Sequence, residues 1–184
     1  GHGGVIEGVY QTPGKRSPIW EDGTQYFEGE GNRQIGHAAA QYLRNLGWTV
    51  LFTVEPNDPT DVSLSERIKR SNAFYRKHPE AFQISIHSNG FSKESANGYE
   101  VFTSKGKTKS DKISKIWLEE HGKQFPNLLN RGHKEANFAM NRVHCPSILI
   151  ESMFHTNPEE CKILLSREGR EKVAIAIVET CERV

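Results

Sequence analysis

The sequence predicts one domain of the α/β class, with helices on both faces of a central sheet. Three observations lead to this prediction. Segments with helical spacing of apolar residues alternate with short runs rich in β-branched and aromatic residues. No Gly-, Pro- or Ser-rich linker divides the 184 residues, which is a sufficient length for one hydrophobic core. The 35% hydrophobic and 26% charged residues are typical of globular chains. We therefore treat residues 1–184 as a single unit.

The first quarter of the chain contains a loop, a helix and a predicted strand. Residues 1–23 are rich in turn-forming residues and indicate a long surface loop. Apolar residues at helical spacing predict a helix over 32–46, and Gly47 stands where a left-handed cap would end it. The run 48–54 is β-branched and aromatic and is closed by Pro56, which predicts a buried strand followed by a turn.

The next helix has a clear start and stop. Ser63 and Glu66 have the spacing of a capping box, and Pro79 ends the helical pattern. A short apolar strand is predicted over 82–86, and it leads directly to His87.

The second half continues the alternation. Strands are predicted at 99–103 and at 147–150, and the latter ends at Glu151. Asn157 followed by Pro158 is a typical helix start. Helices are expected over residues 110–122, 158–165 and 168–182.

Composition excludes several classes of protein. The formal net charge is +1, so no bulk field attracts nucleic acid or an anionic membrane. No run approaches the roughly 18 to 20 apolar residues that a membrane span needs. The three cysteines are odd in number and lack CxxC spacing, which indicates buried, reduced thiols rather than disulfides or a thiolate zinc site.

Polar residues that follow strand runs are the first candidates for chemistry. His87 and Glu151 both end apolar strands, where an unpaired imidazole or carboxylate is costly. His2 lies in a Gly-rich turn, and Glu28 precedes the first helix, with Glu30 as an alternative carboxylate. Two imidazoles and one carboxylate leave a zinc ion with an open fourth position, as in zinc hydrolases. Glu151 would then be the carboxylate that transfers protons.

Five motifs together extend this interpretation. With them the chain resembles the zinc-dependent N-acetylmuramoyl-L-alanine amidases of bacterial cell-wall turnover and phage lysis, nearly from end to end. The motifs are Gly1-His2-Gly3-Gly4, Glu28-x-x-x-Asn32, Ser85-Ile86-His87-Ser88-Asn89, Arg131-Gly132 and Ile148-Leu149-Ile150-Glu151-Ser152-x-Phe154-x-x-Asn157. The segments 12–18 and 26–33 are similar to the phage or prophage branch, which includes endolysins.

The resemblance implies both a fold and a reaction. The fold is a mixed, mostly parallel sheet of roughly six strands. His2, Glu28 and His87 would bind Zn²⁺, and Glu151 would be catalytic. The substrate is peptidoglycan, cleaved between the lactyl group of N-acetylmuramic acid and L-alanine. The family's first strand precedes the Gly-His motif, so we expect that strand to be missing before Gly1.

The roles of three further residues, the oligomeric state and the exact reaction leave alternatives open. Asn89 either orients His87 or makes a turn, whereas Arg131 and His133 are candidates for contacting substrate or steadying an oxyanion. We expect a monomer that acts on the cell wall, in the periplasm or outside the cell, with neither nucleic acid nor membrane as partner. Two rival functions remain: a zinc peptidase that cuts within the stem peptide, and a catalytically silent wall-binding module.

Overall fold

The computed structural model describes residues 1–139 and 142–184, and within them the main sheet has four strands. These are β3 (Gln83–Asn89), β4 (Tyr99–Thr103), β5 (Asn130–Glu135) and β6 (Ser147–Phe154). Their order across the sheet is β3-β6-β4-β5. β3 is parallel to β6 and β4 is parallel to β5, whereas β4 and β6 are antiparallel. The mixed, mostly parallel α/β sheet is thus confirmed, with four strands in the main sheet.

Two further strands form a small hairpin inside the predicted N-terminal loop. β1 (Val5–Ile6) pairs with β2 (Val9–Tyr10) in antiparallel fashion. The two-residue turn between them has positive φ at both Glu7 and Gly8. This is the turn geometry that matches the twist of a tight hairpin.

In the part of the chain that the structure describes, five helices pack around the sheet. They are α1 (Glu28–Asn45), α2 (Leu64–Lys77), α3 (Ser110–Gln124), α4 (Pro158–Leu165) and α5 (Arg167–Arg183). α5 contacts α1, α3 and α4, while α3 packs on β4, β5 and β6. The core between them is apolar, with fully buried Trp117, Ile148 and Ile150 at its centre. None of the described helices has the length and apolar character that a bilayer span requires.

The predicted helix caps are confirmed, whereas the predicted start of the first helix at residue 32 is wrong, because α1 begins four residues earlier and includes Glu28. Gly47 has φ +91° directly after α1, and its N–H donates to the Arg44 carbonyl. The Ser63 hydroxyl accepts from the Glu66 N–H at the start of α2. The Asn157 side chain accepts from two N–H groups of α4. Each cap satisfies backbone groups that a helix end leaves without partners.

The predicted strand over 48–54 is wrong. Those residues form no strand, although Trp48 and Val50 pack against the core. A groove of about 600 Å³ lies between this segment and β3 and is lined by residues of both and of α1. Its carbonyls are satisfied by side chains instead: Arg44 donates to Val50 O and Arg70 donates to Thr53 O.

The cysteine prediction is confirmed. Cys145, Cys161 and Cys181 are all buried and unbridged.

Candidate metal centre and active site

The topology of the sheet places the candidate functional residues at one edge. Because β6 is parallel to β3 and antiparallel to β4, the carboxyl ends of β3 and β6 lie beside the amino end of β4. Glu151 on β6 is the register partner of His87 on one side and of Glu100 on the other. Side chains of directly opposite residues share a face of the sheet, so these three form one row.

His2, Glu28 and His87 converge at this edge. The candidate ligand atoms of the three side chains all lie within 4.8 Å of one another. His87 Nδ1 is 3.0 Å and His2 Nε2 is 3.3 Å from Glu28 Oε1. The two imidazole rings meet edge to face, with centroids 5.0 Å apart.

Glu28 is fixed at the first turn of α1. Asn32, four residues later on the same helix, and the Ser88 N–H both donate to Glu28 Oε1 at 3.3 Å. Burial acts to raise the pKa of Glu28, but the contacts with His2 and His87 outweigh it and hold that pKa well below its usual range. The side chain is therefore an ionised carboxylate at neutral pH.

His2 is held through its backbone. The Arg33 guanidinium donates to the carbonyls of His2 and Gly29, and its Nε donates to Asp58 O at 2.9 Å. Gly29 allows this close approach, because a Cβ built there would lie 1.9 Å from Gly3 O. Neighbouring bonds complete the anchor, since Gly3 N–H donates to Thr12 Oγ1 and Gly4 N–H donates to the Pro59 carbonyl.

Glu30, the alternative carboxylate, lies elsewhere. Its Oε1 accepts from the Val5 N–H at 2.8 Å and so anchors the hairpin strand β1. The geometry therefore leaves Glu28 as the carboxylate of the candidate metal centre.

His87 has a partner on each ring nitrogen. Nδ1 faces Glu28, and Nε2 lies 3.1 Å from Ser85 Oγ. Burial lowers the pKa of His87 to about 4. The ring is therefore neutral near pH 7, and neutral imidazole is the form that binds metal ions.

The unsatisfied atoms of this edge fit a cation. Glu28 Oε2 and Glu151 Oε2 are buried and lack a hydrogen-bond partner among the described residues, and the 3.3 Å contact of the buried His2 Nε2 with Glu28 Oε1 is an ion-pair contact without hydrogen-bond geometry. Buried polar atoms are otherwise almost always paired, so three such atoms at one edge indicate a missing partner. A ligand set of two imidazoles and one carboxylate suits zinc better than it suits magnesium or calcium.

Glu151 supplies the group that can carry a proton. Burial and the neighbouring charge of Glu28 raise the pKa of Glu151 well above its usual range. A carboxyl group in this position exchanges a proton near neutral pH more readily than an exposed one.

Glu100 is a residue of the site that the sequence analysis missed. It is buried on β4 beside Glu151, and Asn89 Nδ2 donates to its Oε1 at 2.9 Å. Arg131 and Lys134 of β5 both bind its other oxygen, Arg131 at 2.6 Å. The available signal was a glutamate inside the otherwise apolar run Tyr99–Thr103.

The remaining predicted site residues are divided between two places. Asn89 binds Glu100, not the His87 ring, and its Oδ1 accepts from the Gly90 N–H. Arg131 reaches the edge through Glu100. His133 does not join this group: its Nε2 lies 2.7 Å from Thr103 Oγ1.

A second buried histidine supports the strand that carries Glu151. His121 on α3 is enclosed by the rings of Tyr99, Trp117 and Phe125. Its Nε2 lies 3.0 Å from the carbonyl of Ser152, the residue after Glu151. Burial lowers the pKa of His121 to about 3, so the ring is neutral and donates to that carbonyl.

Comparisons with known proteins agree with one another. A family model described as N-acetylmuramoyl-L-alanine amidase (Amidase_3) matches residues 1–183. The N-acetylmuramoyl-L-alanine amidase AmiC of Neisseria meningitidis is 28% identical over 198 residues, which cover 81% of this chain and 45% of that protein. The chain thus spans less than half of that relative.

Another relative and a solved structure match over more of their length. The germination-specific N-acetylmuramoyl-L-alanine amidase of Bacillus subtilis is 25% identical over 186 residues, covering 92% of this chain and 76% of that protein. The structure of the amidase AmiC2 of Nostoc punctiforme superimposes with a TM-score of 0.80 at 24% identity, covering 100% of this chain and 92% of that one. The fold described above is therefore that of solved amidase structures.

Proposed function

The chain belongs to the N-acetylmuramoyl-L-alanine amidase family, and we propose that it is a zinc-dependent hydrolase that cleaves the amide bond between the lactyl group of N-acetylmuramic acid and L-alanine in peptidoglycan. The observation that carries the proposal is the convergence of His2, Glu28 and His87, from three distant parts of the chain, beside Glu151. The similarity to the N-acetylmuramoyl-L-alanine amidases of Neisseria and Bacillus supports the choice of bond.

In the proposed mechanism, His2, Glu28 and His87 would hold the zinc ion. When bound, zinc supplies a Lewis acid that polarises the amide carbonyl and acidifies water. Glu28 enters as a carboxylate and His87 as a neutral imidazole, so neither ligand has to lose a proton first. The fixed backbone of His2, bound by Arg33, keeps the third ligand in place.

Glu151 would move the proton. Its buried Oε2, which lacks a partner among the described residues, accepts a proton from the attacking water and then donates it to the amine of L-alanine as the amide bond breaks. The raised pKa makes the Glu151 carboxylate a stronger base toward the water, and the protonated form that results is the donor that the leaving amine requires. Loss of general acid–base catalysis costs about 100-fold to 10,000-fold in rate.

The first experiment identifies the bond that is cut. Purified peptidoglycan is incubated with the zinc-loaded protein, and the new chemical ends are identified by mass spectrometry. We expect free L-alanine amines on intact stem peptides. New ends within the stem peptide would instead identify a zinc peptidase.

The second experiment tests the role of Glu151. Glu151→Gln should retain stoichiometric zinc by elemental analysis yet lose about 100-fold or more of the rate. The matched control is Glu80→Gln, which removes a carboxylate that is 76% exposed. Near-normal turnover in Glu151→Gln would contradict the catalytic role of Glu151. If the unmodified protein bound the cell wall but neither bound zinc nor hydrolysed peptidoglycan, it would be a catalytically silent module.

Other properties remain predictions. We propose that residues 1–184 act as one monomeric catalytic domain on the cell wall. Membership of the phage or prophage branch, predicted from segments 12–18 and 26–33, also stays a prediction.

A further inference from the structure

Arg131 and Lys134 lie on β5, one strand beyond the row that His87, Glu151 and Glu100 form. Building on the proposed function, we propose that Arg131 and Lys134 bind a carboxylate on the peptide part of the substrate, at the residue that follows L-alanine. The site would thereby select an acidic residue at that position.

The charges around Glu100 do not cancel. One oxygen of this carboxylate, Oε2, is shared by Arg131 Nε and Lys134 Nζ, while Oε1 accepts from the neutral amide of Asn89. The group of one anion and two cations therefore carries a net charge of +1. Exposure is divided in the same way: the Glu100 side chain is 5% exposed, whereas Arg131 and Lys134 are 32% and 39% exposed. Within this group of three side chains, the part exposed to solvent is therefore cationic.

A β-bulge turns both cations toward Glu100. Tyr99 pairs with Asn130 and Val101 with His133, so the single residue Glu100 lies opposite two residues of β5. The extra residue is Gly132, whose φ of +82° suits a bulge. In a regular strand, positions three apart such as Arg131 and Lys134 face opposite sides, and one inserted residue returns them to the same side.

The Arg131 side chain is held in a defined orientation. Its guanidinium lies over the Phe154 ring, with the central carbon 5.0 Å from the ring centroid, and Nη1 donates to Asn97 O. Nη2 makes no hydrogen bond to any residue that the structure describes. A guanidinium fixed on an aromatic ring with a free N–H group is suited to bind a carboxylate.

The spacing fits the residue after L-alanine. Neighbouring strands are about 4.8 Å apart, so β5 is roughly 10 Å from Glu151, and the Arg131 and Lys134 side chains extend back toward β4. An extended peptide advances about 3.3 to 3.6 Å per residue. With the cleaved amide beside Glu151, one extended residue and its side chain span roughly the separation between Glu151 and β5.

The test compares two small substrates. They are N-acetylmuramoyl-L-alanyl-D-glutamate with both carboxyl groups free and the same compound with both amidated. We expect the KM of the amidated compound to be about tenfold higher, since one charge-assisted contact of this type contributes about that factor. The ratio of the two KM values should fall as salt is raised, because the cations are partly exposed.

Variants locate the effect. Arg131→Gln and Lys134→Gln should each reduce the KM ratio about threefold or more, and Arg131→Lys should restore part of it. Either single variant leaves Glu100 with one cation, so its buried charge stays paired. Lys107→Gln, which removes an exposed lysine beyond the other end of β4, is the matched control and should keep the ratio. A KM ratio near one in the original chain, or an unchanged ratio in both Gln variants, would overturn the proposal.

A binding measurement separates this inference from the proposed function. If neither compound is cleaved, the affinity of the zinc-loaded protein for each is measured by calorimetry. The compound with free carboxyl groups could bind more tightly than the amidated one, with Lys134→Gln removing that difference. This result would support the carboxylate site even though the amidase assignment had failed. Equal affinities would reject the carboxylate site as well.

Discussion

His121 makes the stability of the fold sensitive to acid, and the size of the effect follows from its burial. The pKa falls from 6.5 to about 3 because the ring is buried among aromatic side chains. Between these two values the unfolded chain binds a proton at this position and the folded chain does not. The contribution of His121 to stability is therefore complete above about pH 6.5 and is lost as the pH falls toward 3.

A shift of this size corresponds to about 5 kcal/mol over the whole range, at about 1.4 kcal/mol for each pKa unit. Between pH 7 and pH 5 the expected loss in the free energy of unfolding is about 2 kcal/mol. His121→Gln keeps a side-chain donor for Ser152 O but does not titrate, so it should lose about 2 kcal/mol less than the original chain over this interval.

The assay is urea unfolding at pH 7 and pH 5, followed by circular dichroism. A chelator in all samples keeps metal binding out of the comparison. His37→Gln, which removes an exposed imidazole from α1, is the control for losing one histidine. Equal losses of free energy in the original chain and in His121→Gln would refute the reasoning.

Two further predictions concern the proposed metal centre directly. Gly29→Ala should weaken zinc binding at least tenfold, because the new Cβ would lie 1.9 Å from Gly3 O and displace the segment that carries His2. The control is Gly36→Ala on the same helix, where the atom nearest to the new Cβ is 3.5 Å away. Zinc affinities are measured by isothermal titration, and equal affinities in the two variants would contradict the prediction. Adding zinc at about 100 times its dissociation constant should raise the free energy of unfolding by about 2.7 kcal/mol and the melting temperature with it. Glu28→Gln should lose this increase, and a melting temperature that rises equally in that variant would place the ion elsewhere.

Local signals in the sequence predicted much of the fold. Gly47, Ser63 and Asn157 act within one or two turns of the backbone, so their roles as caps could be inferred without tertiary structure. Strand pairing depends on distant residues, and this is why the apolar run 48–54 was mistaken for a strand. β5 was missed because Asn130–Glu135 is polar, carries a bulge at Gly132 and lies at the edge of the sheet.

The site was predictable to a similar degree. Motif resemblance identified His2, Glu28, His87 and Glu151, and the structure brings the first three together. Glu100 escaped notice because its importance comes from its position opposite Glu151, which only the register of β4 against β6 reveals. His133 was predicted as a site residue because it is close in sequence to Arg131. In the structure its register partner is Val101 and its hydrogen-bond partner is Thr103.

The pairing of β3 with β6 also bears on when the candidate site comes into being during synthesis. β6 is the last of the described strands to be synthesised, and it carries both Glu151 and the backbone that pairs with β3. A nascent chain that ends before residue 147 has the three candidate zinc ligands but lacks the proton-carrying group. All four candidate residues are therefore present on a nascent chain only after synthesis has passed residue 151.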